Sequence, residues 1–550
     1  MRLPVTFWTY CLWELLRLTV LATAVIVTAI AFAVTVQFYA RGQLGPLDTL
    51  RFMAFAMIPM LQYALPFAAG LAATLAYYRL VQDNELIAAR AGGMSHLSIL
   101  GPALVAGVVL ALALGALTDR VIPRFLRGME EMVSEKIATV IANTINNNQS
   151  FQYDRFMLHA DQVVQVEPEA GSGVESELVL LGAVFVELDP EGNVERQGSA
   201  RRVRLWVRPG EASGAGSRTS YAMIQAEDLV GDFDVAPGAR AGLVRKVWQL
   251  PGGIDDDPKF LTGDELRRAQ SRPEMLNIID PRRRDLAYHI GKHRILEQVV
   301  STLQIGAPVE FTLPSADRLV VRAGGARVEG DRIRLQPLRG RDHISVELIG
   351  PEQVQSYEAG RAEFRVDLAG DPSTRSLDQK LTIWDATQPR TPGEALPPIP
   401  EKVFSGLQLE PDPLPGLLQQ STTDLLEEGK RLTTGPGAVE WIRPPVRELD
   451  QRIAKLQREI LSKRHERWAV SCACFVMIAT GAIMAMRLAG ASPLAVYLWS
   501  FFPALLALLT ISSGQQMTYQ SGPVGLLLLW GGVAGLAAYA SVVFFSLTRH

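Results

Sequence analysis

The sequence has little with which to build a redox or metal site. Its 550 residues include only three cysteines, Cys11, Cys472 and Cys474, an odd and sparse count that gives no disulfide framework. Cys472 and Cys474 lie in an apolar run without further cysteine or histidine nearby, so the ligands for tetrahedral zinc are missing. We therefore expect no metal site.

Common catalytic and nucleotide-binding patterns are missing too. The sequence has no G-x-x-x-x-G-K-[ST] loop, which argues against an ATPase, and no G-x-S-x-G, H-E-x-x-H or EF-hand spacing. A formal net charge of −3 gives no general attraction to nucleic acid. We expect neither an enzyme nor a nucleic-acid-binding protein, and no cofactor held by this chain.

What the chain does have is six long apolar segments, three near each end, around a polar middle. About 20 mostly apolar residues cross the ~30 Å hydrocarbon layer of a membrane. None of the six carries Asp, Glu, Lys or Arg at its centre, where such a charge costs about 2.5–3.5 kcal/mol. They run from Leu18 to Ala40, Phe55 to Tyr78, Ser98 to Leu117, Trp468 to Met486, Pro493 to Ser512, and Val524 to Leu547.

The first segment is longer than the apolar part of a signal peptide and no small-x-small cleavage site follows it, so we expect a retained helix. Six crossings place both termini on one side. That side carries more arginines than the opposite short loops with Arg41 and Arg51, which favours cytoplasmic termini. Residues from about 120 to 467 would then lie outside the cytoplasm. The arginines on the cytoplasmic side are Arg2, Arg17, Arg79, Arg90, Arg487 and Arg549.

The sequence pattern predicts β structure for much of the middle region. Val203, Leu205 and Val207 alternate with other residues in a period of two, and a similar pattern recurs between residues 328 and 335. Short strands with Gly and Pro turns are typical of a β-sandwich or jelly roll. The run from Asn143 to Asn148 predicts a polar loop.

Helical signals interrupt these strands. Thr262 and Glu265 have capping-box spacing, residues 284–303 read as a helix, and the Pro-rich stretches near residues 391–416 read as a linker. Residues 448–467 form a charged helix whose apolar positions recur at helical spacing.

We predict an α-helical membrane protein with six transmembrane helices, three plus three, a large inserted extracytoplasmic β domain of jelly-roll type and an extra β/α insert. The predicted domains are 1–120 (helices 1–3, with a coupling helix at about 82–94), 121–255 (jelly-roll-like domain), 256–303 (helical insert), 304–447 (second β-rich insert and Pro-rich linker), 448–467 (charged helix) and 468–550 (helices 4–6).

Two stretches resemble the hallmarks of a known family. They are "YYRLVQDNELIAARAGGMSHLSILGPAL" after the second segment and "RHERWAVSCACFVMIATGAIMAMRLAG" after the middle region. Both are similar to the lipopolysaccharide-export permease family (LptF/LptG, also called YjgP/YjgQ). "FQYDRFMLHADQV" extends the resemblance to the start of the β domain.

The resemblance implies a permease subunit of an ABC transporter in the cell inner membrane that exports lipopolysaccharide or a related glycolipid. It implies a cytoplasmic ABC ATPase dimer that binds ATP and Mg²⁺, and a second homologous permease or a second copy of the chain. It also implies a periplasmic bridge of jelly rolls, to which the periplasmic β domain would hand the lipid.

In such permeases a short cytoplasmic helix couples the membrane helices to the ATPase. The resemblance assigns this role to Asp83, Glu85 and Arg90, with Gly92 and Gly93 turning the chain back to the membrane. The alternative is that Asp83 and Glu85 are charges favoured at a helix N-terminus, and that Arg90 is a positive-inside anchor.

A glycolipid phosphate needs cations at the headgroup level. The family often has a Lys near the outer end of the first helix, but Gln37 stands there in this sequence. Arg41 and Arg51 are the next candidates, and the alternative for both is snorkelling at the interface.

Three prolines, Pro59, Pro66 and Pro503, interrupt membrane segments. They predict kinks that shape a cavity or a gate, or else static kinks. Two other functions stay open. An ABC permease of the mechanotransmission type predicts an outer domain without an open apolar groove. A non-transport scaffold or sensor predicts no contact with an ATPase.

Overall fold

The computed structural model describes residues 5–40, 46–134, 137–146, 150–153, 156–166, 168, 174, 176–188, 193–212, 218–231, 240–249, 257–338, 342–351, 353–369, 376–388, 398–435 and 437–549. They form two compact units: the first comprises residues 1–271 and 454–550, and the second comprises residues 272–453. The helices are α1 (Val5–Ala40), α2 (Pro46–Gln82), α3 (Glu85–Ala91), α4 (His96–Ala116), α5 (Ile122–Ser134), α6 (Ile137–Asn146), α7 (Gly263–Ser271), α8 (Asp280–Gln304), α9 (Leu414–Gln419), α10 (Thr422–Leu432), α11 (Arg443–Arg487), α12 (Pro493–Ser521) and α13 (Val524–Thr548).

The strands are β1 (Phe151–Tyr153), β2 (Phe156–His159), β3 (Gln162–Val166), β4 (Ser176–Leu188), β5 (Val194–Ala212), β6 (Arg218–Gly231), β7 (Arg240–Gln249), β8 (Val309–Thr312), β9 (Arg318–Arg322), β10 (Gly325–Glu329), β11 (Arg332–Gln336), β12 (Ile344–Ile349), β13 (Val354–Ala369), β14 (Ser376–Thr387) and β15 (Ile399–Leu409).

Within the described ranges, six helices are long and apolar enough to cross a membrane, namely α1, α2, α4, α11, α12 and α13. They contain the six predicted segments except Leu117, which begins the π-helical turn after α4. Several helices extend beyond the predicted segments: α1 already begins at Val5, α2 begins at Pro46, and α12 continues to Ser521. The helix α11 unites the predicted charged helix with the fourth segment. A π-helical turn at Leu117–Val121 joins α4 to α5.

The fourth membrane helix lies at the centre of the bundle. In the apolar stretch of α11, 89% of the residues are buried, against 22% in α1 and α13 and 28% in α12. Small residues allow this close packing. A Cβ added to Gly481 of α11 would lie 2.5 Å from the carbonyl oxygen of Gly70 in α2. The outer helices α1, α12 and α13 consequently leave apolar faces exposed for lipid or for partner helices.

The β insert of the first unit is an antiparallel sheet in the order β1-β2-β4-β5-β6-β7, with β3 beside the other half of β4. Neighbours in the sheet are mostly neighbours in the chain, as in a meander. The predicted large β insert is confirmed, whereas its jelly-roll arrangement stays a prediction.

The sheet bends along a line that crosses its central strands. Leu180 and Ala183 of β4 are both buried, although strict alternation would put them on opposite faces. Gly182 between them has φ +62°, and Asp228 of β6 has φ +57° at the corresponding bend. These left-handed residues move the inward-facing positions by one, so that one apolar face continues across the bend.

The polar loop predicted from Asn143 to Asn148 is wrong for residues 143–146, because α6 continues to Asn146. Ile145 is fully buried against the sheet. The Asn146 side chain accepts from the backbone N–H of Val163 and donates to its carbonyl, both at 3.0 Å. Packing and this paired contact hold the helix in place.

The second unit contains a closed barrel. Strands β13, β12, β9, β8, β15 and β14 pair in a ring that closes between β14 and β13, and the β10–β11 hairpin extends it along β13. Ile295 and Val299 of α8 lie in the same core as Phe311 and Phe364. The predicted helix of residues 284–303 therefore exists, but it shares one core with the β-rich insert.

The Pro-rich linker predicted at residues 391–404 and 410–416 is wrong for residues 399–404, which begin β15, and for residues 414–416, which begin α9. Phe404 and Leu407 of this strand are buried in the barrel core. Pro400 is tolerated near the start of the strand, because β8 pairs with β15 only at Gln408 and Leu409. Residues 389–397 lie outside the described residues.

Candidate functional site

The predicted coupling residues lie on the short connection between α2 and α4. Glu85 opens α3 and Arg90 lies in its last turn, while Asp83 lies in the turn before the helix. Gly92 follows the last helical residue, and Gly93 has φ +83°. A left-handed residue after a helix end favours glycine, and the chain turns here towards α4.

This connection is anchored on one side and exposed on the other. Leu86 is 8% exposed and belongs to the same buried cluster as Cys11 and Leu15 of α1. Ile87 is 64% exposed, and Leu97 in the first turn of α4 is 61% exposed. Asp83 and Arg90 are exposed as well. Exposed apolar residues surrounded by charges are typical of a protein–protein interface.

Close to α3, Pro102 interrupts the backbone hydrogen bonds in the second turn of α4. Two aromatic side chains from neighbouring helices bond the backbone groups of this turn. Pro102 has no N–H, so the carbonyl of Ser98 has no helical partner at position 102. The indole Nε1 of Trp8 in α1 donates to that carbonyl at 3.0 Å. The ring of Trp8 packs on Gly101, where an added Cβ would lie 2.2 Å from it. The first helix is thereby attached to the third.

The second membrane helix joins the same place. The hydroxyl of Tyr77 in α2 donates to the carbonyl of Ile99 at 2.9 Å and accepts from the N–H of Ala103 at 3.3 Å. In an unbroken helix these two backbone groups would bond each other, so the hydroxyl is inserted into the ladder. We call Trp8, Tyr77 and Pro102 the proline joint. It holds α1, α2 and α4 together beside α3.

The predicted kink residues Pro59 and Pro66 lie inside α2, and Pro503 lies inside α12. Both helices continue through them. At Pro503 the freed carbonyl belongs to Trp499, and the Tyr539 hydroxyl of α13 donates to it at 3.1 Å. An aromatic side chain from a neighbouring helix thus bonds the freed carbonyl at both prolines, Tyr539 at Pro503 and Trp8 at Pro102.

Of the predicted headgroup contacts, Gln37 lies in the last turn of α1 and Arg51 in the first turns of α2, and both are exposed. Arg41 lies outside the described residues. The role of these three residues in lipid binding stays a prediction.

A buried polar cluster lies at the π-helical turn, away from the proline joint. Arg467 of α11 has a side chain only 9% exposed, lies 3.7 Å from Asp119 and donates to the carbonyl of Leu261 at 2.6 Å. Next to it, Glu466 accepts from Lys463 at 2.8 Å. The two basic and two acidic side chains of the cluster balance in charge. Removing one partner of a buried pair is strongly destabilising. The cluster therefore fastens the segment before α7 to the membrane helices.

The same segment carries the predicted capping box. The Thr262 hydroxyl accepts from the N–H of Glu265, and the Glu265 carboxylate accepts from the N–H of Thr262 at 2.7 Å. Arg127 of α5 also donates to this carboxylate. Burial of Glu265 raises its pKa, but these hydrogen bonds outweigh the effect, so its pKa lies below the ordinary 4.5.

The sheet of the first unit offers an apolar face, and α6 packs on it beside β1, β3 and β4. Ile141 and Ala142 of α6 are each 6% exposed and Ile145 is fully buried in the cluster that this face forms. The buried sheet residues of the face include Leu178, Leu180, Ala183, Phe185, Val203, Leu205, Ile224 and Ala226.

Sequence reasoning missed the proline joint and the polar cluster. Pro102 could have been found as an intramembrane proline, but Trp8 precedes the predicted start of the first membrane segment at Leu18. Asp119 and Arg467 are too far apart in sequence for a pattern to pair them.

Fold and site together define a multi-pass helical membrane protein with a large β insert. Residues 10–206 match the model of the family described as "Lipopolysaccharide export system permease LptF/LptG". The match covers less than half of the chain and supports the resemblance of the sequence to this family of transporters. The second resembling stretch, in α11, lies outside the matched range and stays a prediction. No curated protein matches the chain.

Proposed function

We propose that the chain is the permease subunit of an ABC transporter that takes lipopolysaccharide or a related glycolipid from the inner membrane and passes it to a periplasmic bridge of jelly rolls. A cytoplasmic ATPase dimer that holds ATP and Mg²⁺ drives it. The second permease is a homologue or another copy of the chain. Both termini are cytoplasmic, and the β insert is periplasmic.

The observation that carries this proposal is the α3 connection. It combines an anchored side at Leu86 with an exposed side at Asp83, Ile87 and Arg90. Arg or Lys on an ATPase can pair with Asp83 and Glu85, while Ile87 supplies apolar contact. Removing one partner of a charge pair that becomes buried in such an interface costs about 2–5 kcal/mol.

The proline joint would carry the motion onward. Because Trp8 and Tyr77 both bond the opened turn of α4, displacement of α3 acts on three membrane helices together and not on a single loop. The ATPase supplies the energy of ATP hydrolysis. The residues of this chain move the helices, which close on lipid that has entered sideways from the outer leaflet and expel it towards the sheet.

A pull-down tests the proposal. The detergent-solubilised chain is purified from its own membranes as wild type and as Asp83→Arg/Glu85→Arg, and mass spectrometry identifies the proteins and lipids that co-purify. The matched control is Glu310→Arg/Glu401→Arg, which reverses two exposed carboxylates of the second unit. We expect an ABC ATPase and a glycolipid with wild type and control, and loss of the ATPase in the α3 variant. Wild type without an ATPase, under conditions that preserve ABC complexes, would remove the coupling role and favour a membrane scaffold.

One observation favours a second candidate, an ABC permease of the mechanotransmission type. Such a protein needs no open apolar groove in its outer domain, and α6 covers the apolar face of the sheet. In that case the pull-down would yield the ATPase and a periplasmic protein partner, but no glycolipid.

A further inference from the structure

We propose that α6 is a displaceable lid that occupies the lipid-binding face of the sheet until acyl chains replace it. The inference rests on the proposed function, because it assumes that a glycolipid reaches the sheet. It concerns how the face is kept closed.

The surface that α6 covers has the chemistry of an acyl-chain site. Leu180 and Phe185 of β4 and Leu205 of β5 face the same buried cluster as Ile145 of α6. Aliphatic and aromatic side chains hold acyl chains by the same nonspecific apolar contact with which they hold an isoleucine. Helix and lipid therefore compete for one surface.

The sequence of α6 makes it easy to displace. Six of its ten residues, in the run IATVIANTIN, are β-branched, and such residues are poor helix formers. Helices shorter than about 12–15 residues are marginal on their own in water. The helix thus depends on its packing against the sheet, and losing that packing melts it.

A pair of hydrogen bonds, here called the clip, fixes the end of the lid. Asn146 bonds both the N–H and the carbonyl of Val163 in β3, at 3.0 Å each. Its side chain imitates the backbone of a neighbouring strand at a position next to β3. Once the lid leaves, water can replace both bonds, because Asn146 is exposed.

The test places a photo-cross-linking residue, p-benzoylphenylalanine, at position 185 of the full chain, where Phe185 is 6% exposed. Native membranes that contain the protein with its partners are irradiated with ATP-Mg²⁺ or with a non-hydrolysable ATP analogue. Trypsin separates the lid peptide 137–155 from the reporter peptide 156–196, since Lys136, Arg155 and Arg196 bound them and no other Lys or Arg intervenes. Because the peptide 137–155 also contains β1 (Phe151–Tyr153), fragmentation mass spectrometry assigns each adduct to α6, to β1 or to glycolipid. Only an adduct on α6 counts as a lid adduct.

We expect the lid adduct to predominate with the analogue, and the glycolipid adduct to replace it with ATP. Asn146→Ala removes the clip without placing a charge in the core. It should raise the yield of the glycolipid adduct in the presence of the analogue roughly tenfold, because two hydrogen bonds that hold α6 are lost. Gln162→Ala, at an exposed position of β3, is the matched control and should behave as wild type. Ile145→Asp is a second and stronger way to open the lid.

Two results would overturn the lid. One is an equal glycolipid adduct with ATP and with the analogue in wild type. The other is a persistent lid adduct without any glycolipid adduct, in membranes whose protein still co-purifies with ATPase and glycolipid. Either result leaves the permease function standing. Failure of the pull-down itself would remove the permease function.

Discussion

The contribution of the hydrogen bond between Trp8 and α4 to the free energy of unfolding can be measured, because Pro102 determines whether the Ser98 carbonyl has another partner. The indole donates to the carbonyl of Ser98 at 3.0 Å, and proline cannot supply the N–H that would otherwise bond this carbonyl. Trp8→Phe removes the donor, and Pro102→Ala restores the helical N–H. The two changes form a double-mutant cycle.

The expected coupling follows from what is left unpaired. A buried carbonyl without a partner costs about 1–3 kcal/mol, although hydrogen bonds between membrane helices average only about 0.6 kcal/mol. We expect Trp8→Phe to cost about 1–2 kcal/mol more in the wild-type chain than in the Pro102→Ala background, whereas independent sites add within about 0.5 kcal/mol. The smaller ring also loosens packing on Gly101, but it does so in both backgrounds and cancels.

The assay is reversible unfolding of the four purified proteins by SDS in mixed micelles. Helix content is followed by far-UV circular dichroism, because replacing a tryptophan alters the fluorescence. Trp13→Phe, at a side chain 72% exposed, is the control and should change the free energy of unfolding little. An equal cost of Trp8→Phe with proline and with alanine at position 102 would refute the hydrogen bond at the proline joint.

Three further predictions concern the first unit. Tyr77→Phe should destabilise less than Trp8→Phe in the same SDS titration, because the two backbone groups that Tyr77 separates can rejoin each other; an equal or larger cost would contradict this. Gly481→Ala places a Cβ 2.5 Å from the carbonyl of Gly70 and should cost about 1–3 kcal/mol, while Gly535→Ala, with no described atom within 4 Å, should be neutral or stabilising by up to about 1 kcal/mol. Glu265 has a lowered pKa, so its stabilisation is present above pH 4.5 and is lost as pH falls through the folded-state pKa; the melting temperature of wild type should exceed that of Glu265→Gln at neutral pH, and a difference that did not shrink in acid would contradict the assignment.

Local patterns were sufficient to predict the membrane helices, because six apolar runs without central charges have few alternatives to spanning helices. The short helix after the second membrane helix was predicted from the family resemblance, and its coupling role stays a prediction. The capping box at Thr262 and Glu265 was likewise readable, because it depends on residues three apart.

Contacts between distant residues could not be read in this way. A period of two predicts strands but does not identify the strands that pair with them. Sequence reasoning therefore missed the closure of the barrel between β13 and β14 and the strand β15 at residues 399–409. The helix α6 was missed for a different reason. Its β-branched residues and asparagines favour other conformations, and the helix forms only because the apolar face of the sheet packs against it, a case in which tertiary contacts override propensity.

The free energy needed to break the hydrogen bonds of the proline joint differs from the free energy needed to displace α6. The proposed transport cycle depends on that difference. At the proline joint, the hydrogen bonds of Tyr77 are buried and that of Trp8 is part-buried, so water replaces the lost partners less readily than at an exposed position. At α6, the freed Asn146 amide meets water, and acyl chains can cover the surface that Ile145 vacates. Motion that enters at α3 would therefore leave the joint intact and move the membrane helices as a group. The sheet, by contrast, can exchange its lid for lipid at little net cost, because apolar contact is replaced by apolar contact.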